Sequence, residues 1–147
     1  MNNNPHKIMR SSAFATALSA LGIILAGSPL QAANEAWSTN PTDGNFSGTN
    51  WTSGQTTAQA SPSNAAATGD ALFFDTSAIT TLTNDLSGAT FAGITFNSGA
   101  SAYTIGGNAF TLSGALTNNS SSLQTFSNAI TLQSPQTITG AGSFSLS

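Results

Sequence analysis

Ile94-Thr95-Phe96, Tyr103-Thr104-Ile105, Phe110-Thr111-Leu112, Ile130-Thr131-Leu132 and Phe144-Ser145-Leu146 repeat one pattern: apolar, hydroxyl, apolar. Successive side chains of an extended chain point to opposite faces, so each triplet sends two large groups to one side and a small polar group to the other. That alternation marks a half-buried strand. Gly, Asn and Ser fill the gaps between the triplets. Many very short strands at turn-sized intervals predict an all-β chain that coils as a β-solenoid, a parallel β-helix in which each strand stacks on its equivalent one coil earlier. Such stacking puts Ile, Leu and Phe in columns inside and Thr, Ser and Asn in columns outside. An antiparallel β-sandwich also suits short strands with Gly-rich turns and is the alternative.

Working outward from the triplets, the segment Tyr103–Ser113 resembles Gln136–Ser147. Thr104-Ile105 returns as Thr137-Ile138, and Phe110 returns as Phe144, with a single residue inserted between the two matches. Phe110-Thr111-Leu112 also recurs sooner, as Ile130-Thr131-Leu132. Both spacings are compatible with one coil. Upstream, Gly69-Asp70-Ala71-Leu72-Phe73-Phe74 predicts a first buried strand, and Leu82 and Leu86 flank a turn at Asn84-Asp85. Asn118-Asn119-Ser120-Ser121-Ser122 reads as an exposed turn. Residues 34–69 read as loop, with Asn40-Pro41, Asp43-Gly44 and Ser47-Gly48, and 55–69 is close to a low-complexity linker. The expected organisation is a signal peptide over 1–33, a Trp-containing N-terminal cap or loop region over 34–69, and a solenoid segment over 70–147. Phe144-Ser145-Leu146 reads as a strand in a final coil that needs covering. That end is expected to belong to a longer protein or to self-associate with another chain.

Lys7, Arg10 and His6 lie in the first ten positions, followed by the apolar run Ala13–Ala26, then Gly27-Ser28-Pro29 and Leu30-Gln31-Ala32-Ala33. A basic start, a short apolar stretch, a breaker and small residues match a secretory signal peptide. The stretch is short for a membrane span, which needs about 20 residues. Cleavage is expected after Ala32 or Ala33, and a secreted or cell-surface location follows. Residues 34–147 then hold no Lys, Arg, His or Cys, and the acids Glu35, Asp43, Asp70, Asp75 and Asp85 set a net charge of −5. A chain without basic side chains cannot neutralise phosphates, which excludes nucleic acid as a partner. Eight of the nine Phe remain, with regularly placed Ile and Leu, which argues against a disordered tail.

The same composition argues against catalysis. No His or Lys is present to activate a Ser, and no thiolate or imidazole to bind zinc. Asp70 and Asp75 are an odd number of positions apart, on opposite faces of a regular strand, which supports no glycosidase pair. No small-molecule substrate and no cofactor is expected. Asp43 with Asn45, or Asn84 with Asp85, could offer oxygens to calcium, but no Asp-rich calcium-loop spacing occurs. These residues read better as Asx turns bonding their own backbone. Trp37 and Trp51, the only tryptophans, form either a glycan-stacking platform on an exposed loop or a cap over the first coil. The cap is preferred, because a solenoid must be closed where it begins. Tyr103 is expected to stack within the coils.

Taken in order, Trp37, Asn50-Trp51, Gly69–Phe74, Phe91-Ala92-Gly93-Ile94-Thr95-Phe96 and Tyr103-Thr104-Ile105-Gly106-Gly107 resemble the opening of bacterial proteins carrying autotransporter-associated β-strand repeats. The resemblance spans most of 36–147. It implies an exported passenger-type segment folded as a right-handed parallel β-helix. The family's glycine-rich Leu-Thr-Lys turn is missing, and residues 1–147 contain no membrane β-barrel segment. The expected function is a non-enzymatic surface stalk or spacer, with an adhesin-like glycan-binding module as the alternative.

Overall fold

The computed structural model describes residues 32–147; the signal peptide expected over 1–33 lies almost wholly outside them. Among the described residues there is no helix. Thirteen short strands run β1 (Asn34–Trp37), β2 (Trp51–Ser53), β3 (Ala71–Phe74), β4 (Thr81–Asn84), β5 (Thr90–Phe91), β6 (Gly93–Phe96), β7 (Thr104–Gly107), β8 (Phe110–Leu112), β9 (Leu116–Asn118), β10 (Gln124–Phe126), β11 (Ile130–Leu132), β12 (Ile138–Gly140) and β13 (Phe144–Leu146). Each coil contributes one strand to each of three sheets. The first sheet has the order β12-β9-β6-β3-β1-β2, the second β13-β10-β7-β4 and the third β11-β8-β5. This is a β-solenoid of about three turns. All pairings are parallel except β1 with β2 and an isolated bridge between Trp51 and Asn64. The antiparallel sandwich is thereby replaced by the stacked arrangement.

The register explains why the triplets repeat. Leu72, Ile94, Leu116 and Ile138 stack in the first sheet, with the same step in sequence from each coil to the next. Leu82, Ile105, Phe126 and Leu146 stack in the second, and Phe91, Leu112 and Leu132 in the third. Apart from Leu132, Ile138 and Leu146 in the last coil, these columns fill the interior, joined by an aromatic row in which Phe74 stacks on Phe96 at 4.9 Å and Tyr103 lies 5.1 Å from Phe74. Burying each such side chain contributes roughly 1.5–3 kcal/mol. Facing outward, Thr95, Thr117 and Thr139 form one hydroxyl column, and Thr90, Thr111 and Thr131 another.

Three expectations are corrected by this register. The echo of Tyr103–Ser113 in Gln136–Ser147 is not a coil: it relates β7 and β8 to β12 and β13, which lie on different sheets. All three faces use the same apolar-hydroxyl-apolar chemistry, so a strand of one face resembles a strand of another. The shorter recurrence, from Phe110-Thr111-Leu112 to Ile130-Thr131-Leu132, is a true coil and pairs β8 with β11. Secondly, Asn118 and Ser120 are buried and not an exposed turn. Asn118 Nδ2 donates to Ser122 O and Ser143 O, both at 2.9 Å, and its Oδ1 accepts from the backbone and hydroxyl of Ser120. Gln124 continues this buried network, accepting from Tyr103 N at 2.9 Å and donating to Ser101 O at 3.0 Å. Thirdly, the loop-like 34–69 segment contains β1 and β2. It traces a shorter first layer that follows the sheets below it: β1 pairs with β3, Asn45 bridges to Thr83 in β4, and Gly69 N donates to Thr90 O in β5.

Candidate functional site

Trp37 and Trp51 stand opposite each other in the β1–β2 register, ring centroids 4.9 Å apart and edge to face. Trp51 also meets Phe46 at 5.3 Å and Phe74 at 5.4 Å, and Phe46 meets Phe91 at 5.9 Å. Antiparallel β2 lies on the outer edge of β1, where the parallel stacking of the first sheet ends. The rings sit under it, against the first complete coil. Neither Trp has exposed surface. Trp37 Nε1 donates to Ser77 Oγ and Ile79 O, and Trp51 Nε1 to Phe46 O, all at 3.1 Å. A sugar ring stacks on a free aromatic face, and here none is free, so the glycan platform drawn from Trp37 and Trp51 has no surface to act through. Asn50 ties the cap together: its Oδ1 accepts from Thr42 N at 2.8 Å, and its Nδ2 donates to Asp43 Oδ1 at 2.8 Å.

The four aspartates are engaged with this chain's own backbone. Asp43 Oδ1 accepts from Asn45 N at 2.8 Å, the Asx geometry, and Asn84 Oδ1 accepts likewise from Leu86 N at 3.2 Å. Asp75 Oδ2 accepts from Ala58 N at 2.7 Å and Asn97 Nδ2 at 3.1 Å, pinning the 55–69 segment to the solenoid wall. Asp85 accepts from the backbone and the hydroxyl of Ser47. Desolvation opposes its charge, but the Ser47 bonds outweigh it and hold the carboxyl below the usual range. Asp70 and Asp75 serve different loops at the two ends of β3 and do not converge. Among the described residues no three His, Cys, Asp or Glu side chains come together to hold a metal. Tyr103 lies in the aromatic row, its hydroxyl donating to Asp75 O at 2.6 Å; burial, with Asp75's charge adding, pushes the phenol pKa upward.

One grouping went unnoticed in the sequence. Ala33, Glu35, Ser53, Asn64, Ala65, Ala67 and Asp70 line a cavity of about 270 Å³ at the N-terminal end of the solenoid. Two of its walls are carboxylates, Glu35 and Asp70, the buried acids among the described residues. Its signal shows only in the coil register, where Glu35 falls in a column otherwise made of Leu72, Ile94, Leu116 and Ile138.

The fold defines the class as a β-solenoid. No known protein family, curated protein or solved structure matches the chain.

Proposed function

We propose that the protein is a non-enzymatic, exported structural segment, a stalk or spacer displayed on or released from a bacterial surface. The observation that carries this reading is the continuous in-register stacking of three parallel sheets under an aromatic cap. Stacked backbone hydrogen bonds and filled columns make a stiff rod, and Thr columns keep its outside wet. The likeness to passenger segments with autotransporter-associated repeats supports export, as does the basic-then-apolar leader. The same reading includes self-association through the last coil. Leu132, Ile138 and Leu146 are exposed there, at 46%, 49% and 56%. The adhesin alternative loses its aromatic platform to the burial of Trp37 and Trp51.

Resistance to a protease of broad specificity tests the spacer reading. Trypsin is uninformative, because residues 33–147 contain no Lys or Arg. Chymotrypsin is expected to leave the exported product intact for hours under conditions that degrade it within minutes once unfolded in urea. Rapid cutting within 70–132, or saturable glycan binding by the folded product, sinks the proposal.

A further inference from the structure

Glu35 stands where the repeat calls for an aliphatic side chain. It is 1% exposed; its Oε1 accepts from Asn64 Nδ2 at 2.8 Å and its Oε2 has no hydrogen bond. Ser53 stands opposite it in the β1–β2 register and lines the same cavity. Asp70, 4% exposed, lines the same cavity. Its Oδ1 accepts from Ala33 N at 3.0 Å and its Oδ2 from Ala67 N at 2.7 Å. A charged carboxylate held out of water is stabilised strongly by a neighbouring cation. From residue 33 onward the chain has no Lys, Arg or His, so the one cation it can make is its own α-ammonium. Ala33, whose nitrogen already rests on Asp70, is a wall of this cavity.

We propose that leader removal cuts the Ala32–Ala33 bond and that the new α-ammonium of Ala33 seats on Asp70 beside Glu35, as counter-cation to both carboxylates. The inference rests on the export reading, which supplies the peptidase. The step is a hydrolysis: the oxygen of water joins the Ala32 carbonyl carbon as carboxylate, and both its hydrogens go to the Ala33 nitrogen, making it –NH3+. An amide offers Asp70 one neutral N–H; the ammonium offers three donors and a full charge, and charge-assisted bonds are about twice as strong as neutral ones. The site also distinguishes the products of the two candidate cuts. Ala33 N is held by Asp70, and Ala33 O accepts from Ala71 N at 2.9 Å, extending the β1–β3 pairing. A cut after Ala33 discards both contacts. Ala32 is exposed, which places the scissile bond at the surface.

The test is made on the full chain, expressed with its leader in a Gram-negative host and recovered as the exported product. Intact mass is expected to show a start at Ala33. The product has no Lys, so an acetylating reagent has a single amine target. Acetylation is expected to lower the Tm by about 4 °C or more. The α-amine pKa, read by NMR after isotopic dimethylation, is expected above the ordinary value of about 7.7–8.0, returning toward it in Asp70→Asn and partway in Glu35→Gln. Asp70 also holds Ala67 N, so Glu35→Gln is the deciding variant if Asp70→Asn does not fold. A product beginning at Asn34 overturns the proposal and leaves export standing, whereas a chain recovered only from Met1 removes the export reading as well. An ordinary α-amine pKa unmoved by either variant also overturns it. So does a Tm insensitive to acetylation but raised by calcium, which makes the cavity a metal site.

Discussion

Asn118 occupies a column position held by Phe96 one coil earlier and by Gly140 one coil later. A buried amide at such a place costs free energy unless each of its donors and acceptors is paired. Here they are, through Ser120, Ser122 and Ser143. Asn118→Ala removes every one of those bonds and leaves the N–H of Ser120, 1% exposed, without its acceptor. We expect a loss of about 3 kcal/mol in urea denaturation; a loss below about 1 kcal/mol would show that water takes over the bonds. Glu35 poses the opposite case, a buried acid with one oxygen unpaired. Desolvation first, and Asp70's charge last, raise its pKa above the usual 4.5 despite the bond from Asn64 and the nearby Ser53 hydroxyl. A raised folded-state pKa contributes stability that is full below the unfolded value and lost as pH rises through the folded one. In product acetylated at the N-terminus, Glu35→Gln is therefore expected to be more stable than the parent at pH 7. The advantage should close toward pH 4, as thermal denaturation at the two pH values will show.

At the scale of the element, strands of three or four residues gain little individually and are held by their neighbours above and below. The corners between them must let the chain turn within one coil height. Gly114, between β8 and β9, shows how tight this is: a Cβ there would lie 1.7 Å from Ala92 O in the coil before. Backbone cannot yield to that extent, so Gly114→Ala is expected to cost about 3 kcal/mol and to loosen the β8–β9 corner. Amide hydrogen exchange should show lost protection at Ser113 and Leu116, which donate to Phe91 O and Thr137 O. Unchanged protection would place slack at the corner that the spacing denies. Which strands were legible follows from the same chemistry. Five had apolar groups at both ends of a hydroxyl centre. Leu116-Thr117-Asn118, Gln124-Thr125-Phe126 and Ile138-Thr139-Gly140 keep the Thr centre but carry Asn, Gln or Gly at one end, and so escaped the pattern. Their polar ends are read as inward only when the register sets them beside Phe96, Phe144 and Asn118.

Across the whole molecule the two ends differ. The N-terminal end is closed by antiparallel β2 and by Trp37, Phe46 and Trp51. At the other end β11, β12 and β13 are the outermost strands of their sheets, and Ile138 and Leu146 continue the inward columns into the open. Edge strands with apolar groups and no charge pair readily with further chain. Replacing Ile138 and Leu146 by Lys is expected to reduce concentration-dependent association of the exported product, seen as a smaller species in size-exclusion chromatography at high protein concentration. An unchanged elution profile with intact β signal in circular dichroism would place association elsewhere or remove it.

Sequence alone settled the all-β class, a buried strand at Ala71–Phe74 and the absence of basic side chains after Arg10, and favoured stacked strands over a sandwich, because alternation and composition are local properties of the chain; the earlier buried strand β1 escaped it. Tertiary structure decided the coil length and the three-sheet assignment. Equivalent strands on different faces look alike, so only pairing distinguishes the true step, from Leu72 to Ile94 to Leu116, from the echo that joins Ile105 to Ile138 across two sheets. It also decided that Trp37 and Trp51 turn inward, and that Glu35 and Asp70, on successive coils, share one cavity with Ala33. Burial and proximity between distant residues arise from stacking one coil on the next, and no local pattern encodes them.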